Sequence, residues 1–264
     1  MWRVLLARFQ QGHRTMDYPD GPAPPLPDRF RGRPAIDATR CQDGCRACVD
    51  ACPTSAITMA EPARQIDLGR CLFCQDCVTA CPTGAMHYSR EHRLAARRRE
   101  DLVIDASAPI TIAGAALEER TRRLFKRSLK LRQVSAGGCN ACESDLNVLG
   151  TVGWDLGRFG IQFVASPRHA DGLVITGPVS ENMRLALDKT YAAVPAPKIV
   201  IAVGACAISG GPYVGHPEAH DGAGGLPVDL YIPGCPPHPL TILEGLLRML
   251  GRIEATEPGR LPAG

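Results

Sequence analysis

The sequence predicts two domains of different class: a small α+β unit over residues 34–90 and an α/β unit with a parallel sheet over residues 131–251. Two observations carry this. The first is an internal repeat, in which a cysteine-rich run ending in Cys52-Pro53-Thr54 recurs as one ending in Cys81-Pro82-Thr83. The second is a set of short, nearly continuous apolar runs: Ile161–Val164, Gly172–Ile175, Lys198–Val203 and Asp229–Ile232. Such runs suit strands buried on both faces of a parallel sheet. Helical stretches fall between and after them, at about 180–194 and 238–251, the latter with an apolar stripe of Leu240, Leu243, Leu247 and Leu250.

The totals bound the reading. With 264 residues, 45% of them hydrophobic, the chain is long enough for two cores. Its 23 prolines, 27 glycines and 5% aromatics point to much irregular backbone. A net charge of +3 names no partner. Twelve cysteines would suggest disulfides in a secreted chain, but the start, Met1-Trp2-Arg3-Val4-Leu5-Leu6, lacks the length and cleavage site of a signal peptide. No run reaches the roughly 18 apolar residues that span a bilayer. A reducing, cytoplasmic setting is therefore expected, where clustered cysteines bind metal.

Residues 1–33 read as an amphipathic helix and a proline-rich docking arm. Trp2, Leu5, Leu6 and Phe9 share one helical face, and Tyr18–Pro27 is extended by its prolines. A neighbouring subunit is one destination for this arm; a frayed terminus is the alternative.

Within residues 34–90 the halves read Cys41-x3-Cys45-x2-Cys48-x3-Cys52-Pro53 and Cys71-x2-Cys74-x2-Cys77-x3-Cys81-Pro82. This matches the bacterial two-cluster ferredoxin run, where three close cysteines bind one 4Fe–4S cluster and the fourth crosses to the other. Cluster A should take Cys41, Cys45, Cys48 and Cys81, and cluster B Cys71, Cys74, Cys77 and Cys52. Paired zinc sites are the competing reading, but zinc favours separated Cys-x2-Cys pairs. The extra residue between Cys41 and Cys45 departs from the usual gap.

Residues 91–130 read as a basic linker with helical character, carrying Arg97, Arg98, Arg99, Arg120, Arg122, Arg123, Lys126, Arg127 and Lys130, the basic run continuing to Arg132. A solvated helix, or one neutralised by an acidic partner, is expected over a nucleic-acid surface, because no stacking aromatics are interleaved. Asp101–Asp105 is too short to place. Residues 252–264 form a tail.

Four cysteines remain: Cys139 and Cys142 in the loop opening the α/β domain, and Cys206 and Cys235 in glycine- and proline-rich turns after strands. Ligands in open α/β sheets gather at the carboxyl ends of strands, so these thiols should converge as a third site. By spacing alone they could also be four unrelated core thiols.

These residues carry a resemblance. Gly138–Glu143, Arg158–Gly160, Ala165–Asp171, Gly204–Gly211 and Ile232–Pro237 look like the small-subunit family shared by energy-converting nickel–iron hydrogenases and respiratory complex I. The resemblance implies a flavodoxin-like sheet of the complex I small-subunit type, with Cys139, Cys142, Cys206 and Cys235 holding a proximal 4Fe–4S cluster against a catalytic large subunit. Complex I places its first two cysteines side by side, so Cys139-x2-Cys142 favours the formate-hydrogenlyase-type branch. Residues 1–90, with a Tyr18-Pro19 element and Phe30-Arg31-Gly32, resemble the ferredoxin-like subunit of the same complexes, so the chain looks like a fusion of two subunits.

The expected role is an electron-transfer subunit with three 4Fe–4S clusters and no complete catalytic site of its own. The resemblance implies a hydrogenase-like large subunit, membrane subunits of a complex I-like ion-translocating arm reached through the N-terminal arm, and a soluble ferredoxin or formate dehydrogenase module as partners. Nucleic acid is not expected. The place would be peripheral, on the cytoplasmic face of the membrane. Rival readings are a hydrogenase-related or quinone-reducing complex without nickel–iron and, from another class, a zinc-stabilised nucleic-acid-binding module. Glu143 is a candidate proton relay or, alternatively, a carboxylate at a helix N-terminus. Arg168 and His169 are candidates for the surroundings of the proximal cluster, though His169 could equally be a satisfied core histidine.

Overall fold

A computed structural model of the chain describes residues 2–12, 14–59, 64–108, 117, 119–125 and 127–253. The first helix, α1 (Trp2–Gln11), buries none of its residues, and Trp2 and Phe9 are 75% and 89% exposed. The arm behind it lies on the chain's own α/β domain. The Met16 N–H donates to Gly153 O at 3.0 Å, and the Arg158 guanidinium forks onto Met16 O and Tyr18 O at 2.6 and 2.5 Å. An extended, proline-rich backbone leaves carbonyls free, and Arg158 satisfies two of them. Among the described residues, α1 buries none of its own side chains.

The cysteine repeat builds two small antiparallel sheets. β1 (Pro34–Ile36) pairs with β4 (Met86–Tyr88), while β2 (Ile57–Met59), β3 (Arg64–Asp67) and β5 (Val103–Asp105) form a second sheet in the order β2-β3-β5. Between strands sit two single-turn helices, α2 (Ala47–Asp50) and α3 (Asp76–Ala80), one in each half.

The stretch expected as a helical linker is mostly something else. Its described α-helix is α4 (Glu119–Phe125), where Glu119 pairs with Arg122 and Arg123. Lys126 and the side chain of Arg120 lie outside the described residues. Residues 94–105 instead tie the two domains together: β5 completes the small sheet, and Ala96 bridges to Tyr231 at the edge of the large one. The Arg99 guanidinium grips Asp67 through two contacts of 2.6 and 2.9 Å. Arg99, which looked solvated in the sequence, is here an anchor.

The α/β domain is a five-stranded parallel sheet in the order β10-β9-β8-β6-β7. Its strands are β6 (Leu129–Ser135), β7 (Ile161–Phe163), β8 (Gly172–Thr176), β9 (Ile199–Val203) and β10 (Leu230–Ile232). β8 and β9 are buried along their whole length, as their unbroken apolar runs require. α5 (Ala141–Val148), α6 (Glu181–Ala193), α7 (Ala205–Ser209) and α8 (Pro239–Met249) follow β6, β8, β9 and β10. α8 is buried on every side, not merely along its leucine stripe, and encloses a Glu244–Arg248 ion pair of 2.8 Å whose side chains are each 2% exposed. Of residues 252–264, only 252 and 253 are described.

Candidate metal centres

The structure gathers eight cysteines of the repeat around two cavities. One is lined by Cys41, Cys45, Cys48 and Cys81 with Arg64; the other by Cys52, Cys71, Cys74 and Cys77 with Tyr88. The fourth cysteine of each half crosses because it leaves its short helix pointing towards the other half. In both halves the threonine of Cys-Pro-Thr turns its hydroxyl towards its own cysteine, with Cys52 Sγ 3.9 Å from Thr54 Oγ1 and Cys81 Sγ 3.7 Å from Thr83 Oγ1. The repeated triplet was the signal for these threonines.

The other four cysteines meet at the carboxyl end of the large sheet. Cys139 comes from the β6–α5 turn, Cys142 from the first turn of α5, Cys206 from the first turn of α7, and Cys235 from the loop after β10. The thiols are near enough to raise one another's pKa. Backbone closes around them: a Cβ on Gly204, where φ is +89°, would stand 2.5 Å from Cys142 Sγ, and one on Gly211 would stand 2.9 Å from Cys206 Sγ. This is a cradle for sulfur. Cys139 and Cys235 are exposed, so the third group opens to the surface.

The donor chemistry fits iron–sulfur clusters. Burial, aided by neighbouring thiols, pushes Cys71 up to about 12 and Cys206 up to about 11, and it raises Cys142 as well. Such thiols become thiolates together only around a cationic core. At Cys81 burial is outweighed: the Met86 N–H, the Thr83 hydroxyl and the Thr83 and Ala85 N–H groups hold it near 7. Among the described residues no three His, Cys, Asp or Glu side chains stand close enough to chelate a single ion. In the repeat the thiols instead line two cavities, four cysteines to each, the ligand number of a 4Fe–4S cluster.

The comparisons with known proteins agree with this chemistry. Residues 40–85 match the 4Fe-4S dicluster domain, and residues 139–249 match the NADH ubiquinone oxidoreductase, 20 Kd subunit family. The chain is 38% identical over 150 residues to the probable membrane-bound hydrogenase subunit mbhJ of Pyrococcus furiosus, covering 55% of this chain and 90% of that one.

The chain belongs to the NADH ubiquinone oxidoreductase 20 Kd subunit family.

It is also 41% identical over 155 residues to formate hydrogenlyase subunit 7 of Escherichia coli, covering 56% of this chain and 60% of that protein. With an NADH-quinone oxidoreductase subunit of Clostridium beijerinckii it shares 43% identity over 118 residues, 44% of this chain and 70% of the relative. In this family member, a 20 Kd-type domain and an iron–sulfur dicluster domain share one polypeptide.

The structure also gives the surroundings of Glu143, Arg168 and His169. Glu143 sits in the first turn of α5, buried, with Ser135 and Thr176 hydroxyls both donating to its Oε1 at 2.6 Å. Burial alone would raise its pKa, but these donors hold it below the ordinary carboxylate range. The geometry is that of a tie joining β6, β8 and the start of α5, at a helix N-terminus. Arg168 and His169 do not approach the third site. They lie exposed in the turn Pro167–His169 that precedes β8, whereas the cysteines gather beyond its other end. A parallel sheet separates those ends by about 13 Å of strand, at roughly 3.3 Å per residue. Both side chains line an open groove with Ser128, Lys130 and Pro195 instead.

Proposed function

We propose that this chain is the iron–sulfur electron-transfer subunit of a membrane-associated, energy-converting hydrogenase complex of the formate hydrogenlyase type. It carries three 4Fe–4S clusters, held by Cys41, Cys45, Cys48 and Cys81, by Cys71, Cys74, Cys77 and Cys52, and by Cys139, Cys142, Cys206 and Cys235. The observation that supports the relay is the continuity of the three groups. Cys48 acts electrostatically on Cys77, linking the first cavity to the second, and Cys74 acts on Cys235, linking the second to the third. The clusters supply one-electron chemistry. The residues of this chain fix their spacing, exclude water and donate hydrogen bonds to the sulfurs.

The exposed end, at Cys139 and Cys235, faces a catalytic large subunit holding nickel–iron. Electrons enter or leave at the ferredoxin domain through a soluble ferredoxin or a formate dehydrogenase module. No helix among the described residues is long and apolar enough to cross a membrane. Attachment to the cytoplasmic face is therefore through partner subunits, with the uncovered apolar face of α1 seated on the membrane arm. The test is iron and acid-labile sulfide in anaerobically purified protein: about twelve of each per chain, from three four-iron clusters, is expected. Stoichiometric zinc without iron would overturn the reading.

The 43% identity to an NADH-quinone oxidoreductase subunit supports a second reading, a related complex whose large subunit lacks nickel–iron. Nickel analysis of the purified complex separates the two.

A further inference from the structure

The two halves of the repeat are not equivalent around their cavities. At the first, Arg64 reaches across from β3: its Nη1 donates to Cys41 Sγ at 2.8 Å, and its Nη2 reaches Cys45 O at 2.5 Å and Gln42 O at 3.5 Å. Those two carbonyls belong to the Cys41–Cys45 loop, which is one residue longer than the Cys71–Cys74 loop of the other half. The same guanidinium therefore braces the irregular loop and faces the sulfur donors. Its Nε is buried without a hydrogen-bond partner, although Arg64 lines the cavity. An arginine with one N–H on a ligand thiol and another left over has a donor to spare for an acceptor inside that cavity.

The second cavity has a neutral counterpart. Tyr88, from β4, lines it beside Cys77, and its buried hydroxyl has no hydrogen bond of ordinary geometry. The Phe73 N–H reaches Cys71 Sγ at 3.4 Å. Among the described residues, no arginine or lysine lines this cavity. A fixed cation thus donates to a ligand sulfur at the first site, whereas at the second the Arg31 guanidinium reaches the Phe73 carbonyl of the Cys71–Cys74 loop and a phenol stands beside the thiols.

We propose that Arg64 is a positioning and tuning residue that holds the first cluster at a higher reduction potential than the second. This rests on reading both cavities as 4Fe–4S sites. Reduction adds one electron, makes the thiolate-bound cluster one unit more negative, and neither forms nor breaks a bond. A guanidinium donating to a ligand sulfur stabilises that added charge more than a phenol does. The middle cluster becomes the energetic step between an electron-holding first cluster and the third.

The test is a potentiometric titration of the full chain, purified anaerobically with its clusters, reduced with dithionite and followed by electron paramagnetic resonance. Arg64→Gln should lower the potential of the first cluster by about a tenfold change in its reduced-to-oxidised ratio, ~59 mV for a one-electron couple. The other two potentials should stay in place, while Tyr88→Phe should move the second alone. Arg64→Lys, which keeps the charge but not the fork, should shift the first cluster by a smaller amount. Should Arg64→Gln lose the first cluster, seen as about four fewer iron atoms per chain, the lysine variant decides. A lowered first potential supports the proposal, and a wild-type value overturns it. An unchanged first potential in iron-replete Arg64→Gln also overturns it, as does a second cluster that titrates above the first. The iron and sulfide content of the unaltered chain is measured separately, so failure of the cluster reading is distinguishable from failure of the tuning role.

Discussion

Replacing Gly204 by alanine tests the third site at its tightest point. Gly204 has φ +89° and ψ 157°, a conformation open essentially to glycine, so alanine there costs about 1–3 kcal/mol in the backbone alone. Sterics add to this, because the new Cβ would stand 2.5 Å from Cys142 Sγ. Ordinary contacts are about 3.5–4.0 Å, so the thiol must retreat by about 1 Å or more. Gly204 cannot retreat instead. Its N–H is tied to Ile232 O at 2.9 Å, and the next N–H, of Ala205, to Gly234 O at 2.8 Å, both on the segment carrying Cys235. The displacement therefore falls on Cys142 and α5. Loss of the third cluster is expected, taking iron from about twelve to about eight atoms per chain while the ferredoxin-domain signals persist. Gly224→Ala is the control, since a Cβ there meets nothing within 4 Å. A Gly204→Ala protein with full iron and an unaltered third-cluster spectrum would refute the placement of Cys142 in that cluster.

Arg248→Met should destabilise the α/β domain by about 3–5 kcal/mol, because it strands the Glu244 carboxylate inside α8; a lowered denaturation midpoint is the readout, and adding Glu244→Gln should recover much of the loss. The pH response of His92 has a defined sign. Burial, assisted by Arg93, lowers its pKa from 6.5 to about 4, so the unfolded chain binds a proton in that window which the folded chain refuses. Stability should thus fall as pH drops from about 6.5 towards 4, and His92→Gln should flatten this part of the slope when unfolding is followed by circular dichroism at both ends of the window. An equal slope in both proteins would remove His92 from the account.

The grouping of the cysteines was legible because it is written into short spacings and into turns rich in glycine and proline. Strands β8 and β9 were legible because a strand buried on both faces has no charged residue to disguise it. β6 was not, although it is central: Lys130 and Arg132 alternate with Leu129 and Leu131, and the eye joins the cations to the basic run before them. The structure resolves this, since Leu129 and Leu131 are fully buried while Lys130 is exposed. Arg64 was illegible for another reason. A long side chain can reach a ligand 23 positions away, and nothing in its neighbours announces the direction it takes. Arg168 and His169 mislead in the opposite way, since a motif next to a strand does not say which end of the sheet it occupies.

The segment between the domains carries the strongest physical argument for reading the chain as one wired unit. Two domains on a solvated linker would sample many separations, and electron transfer between their clusters would depend on rare encounters. Here the backbone leaves the small domain, bridges to Tyr231 through Ala96, and returns as β5 to complete the small sheet. Arg99 clamps Asp67 on β3, Ser209 Oγ donates to Gly69 O at 2.9 Å, and Arg248 inside α8 reaches Ala95 O. Gly69 packs so closely on Ile208 that a Cβ would stand 2.7 Å from that side chain. These contacts flank the loops bearing Cys71, Cys74 and Cys206, so the spacing between the second and third thiol groups is set by the same packing that holds the fold. A basic stretch that composition would assign to solvent or to an acidic partner is therefore the element that fixes the relay.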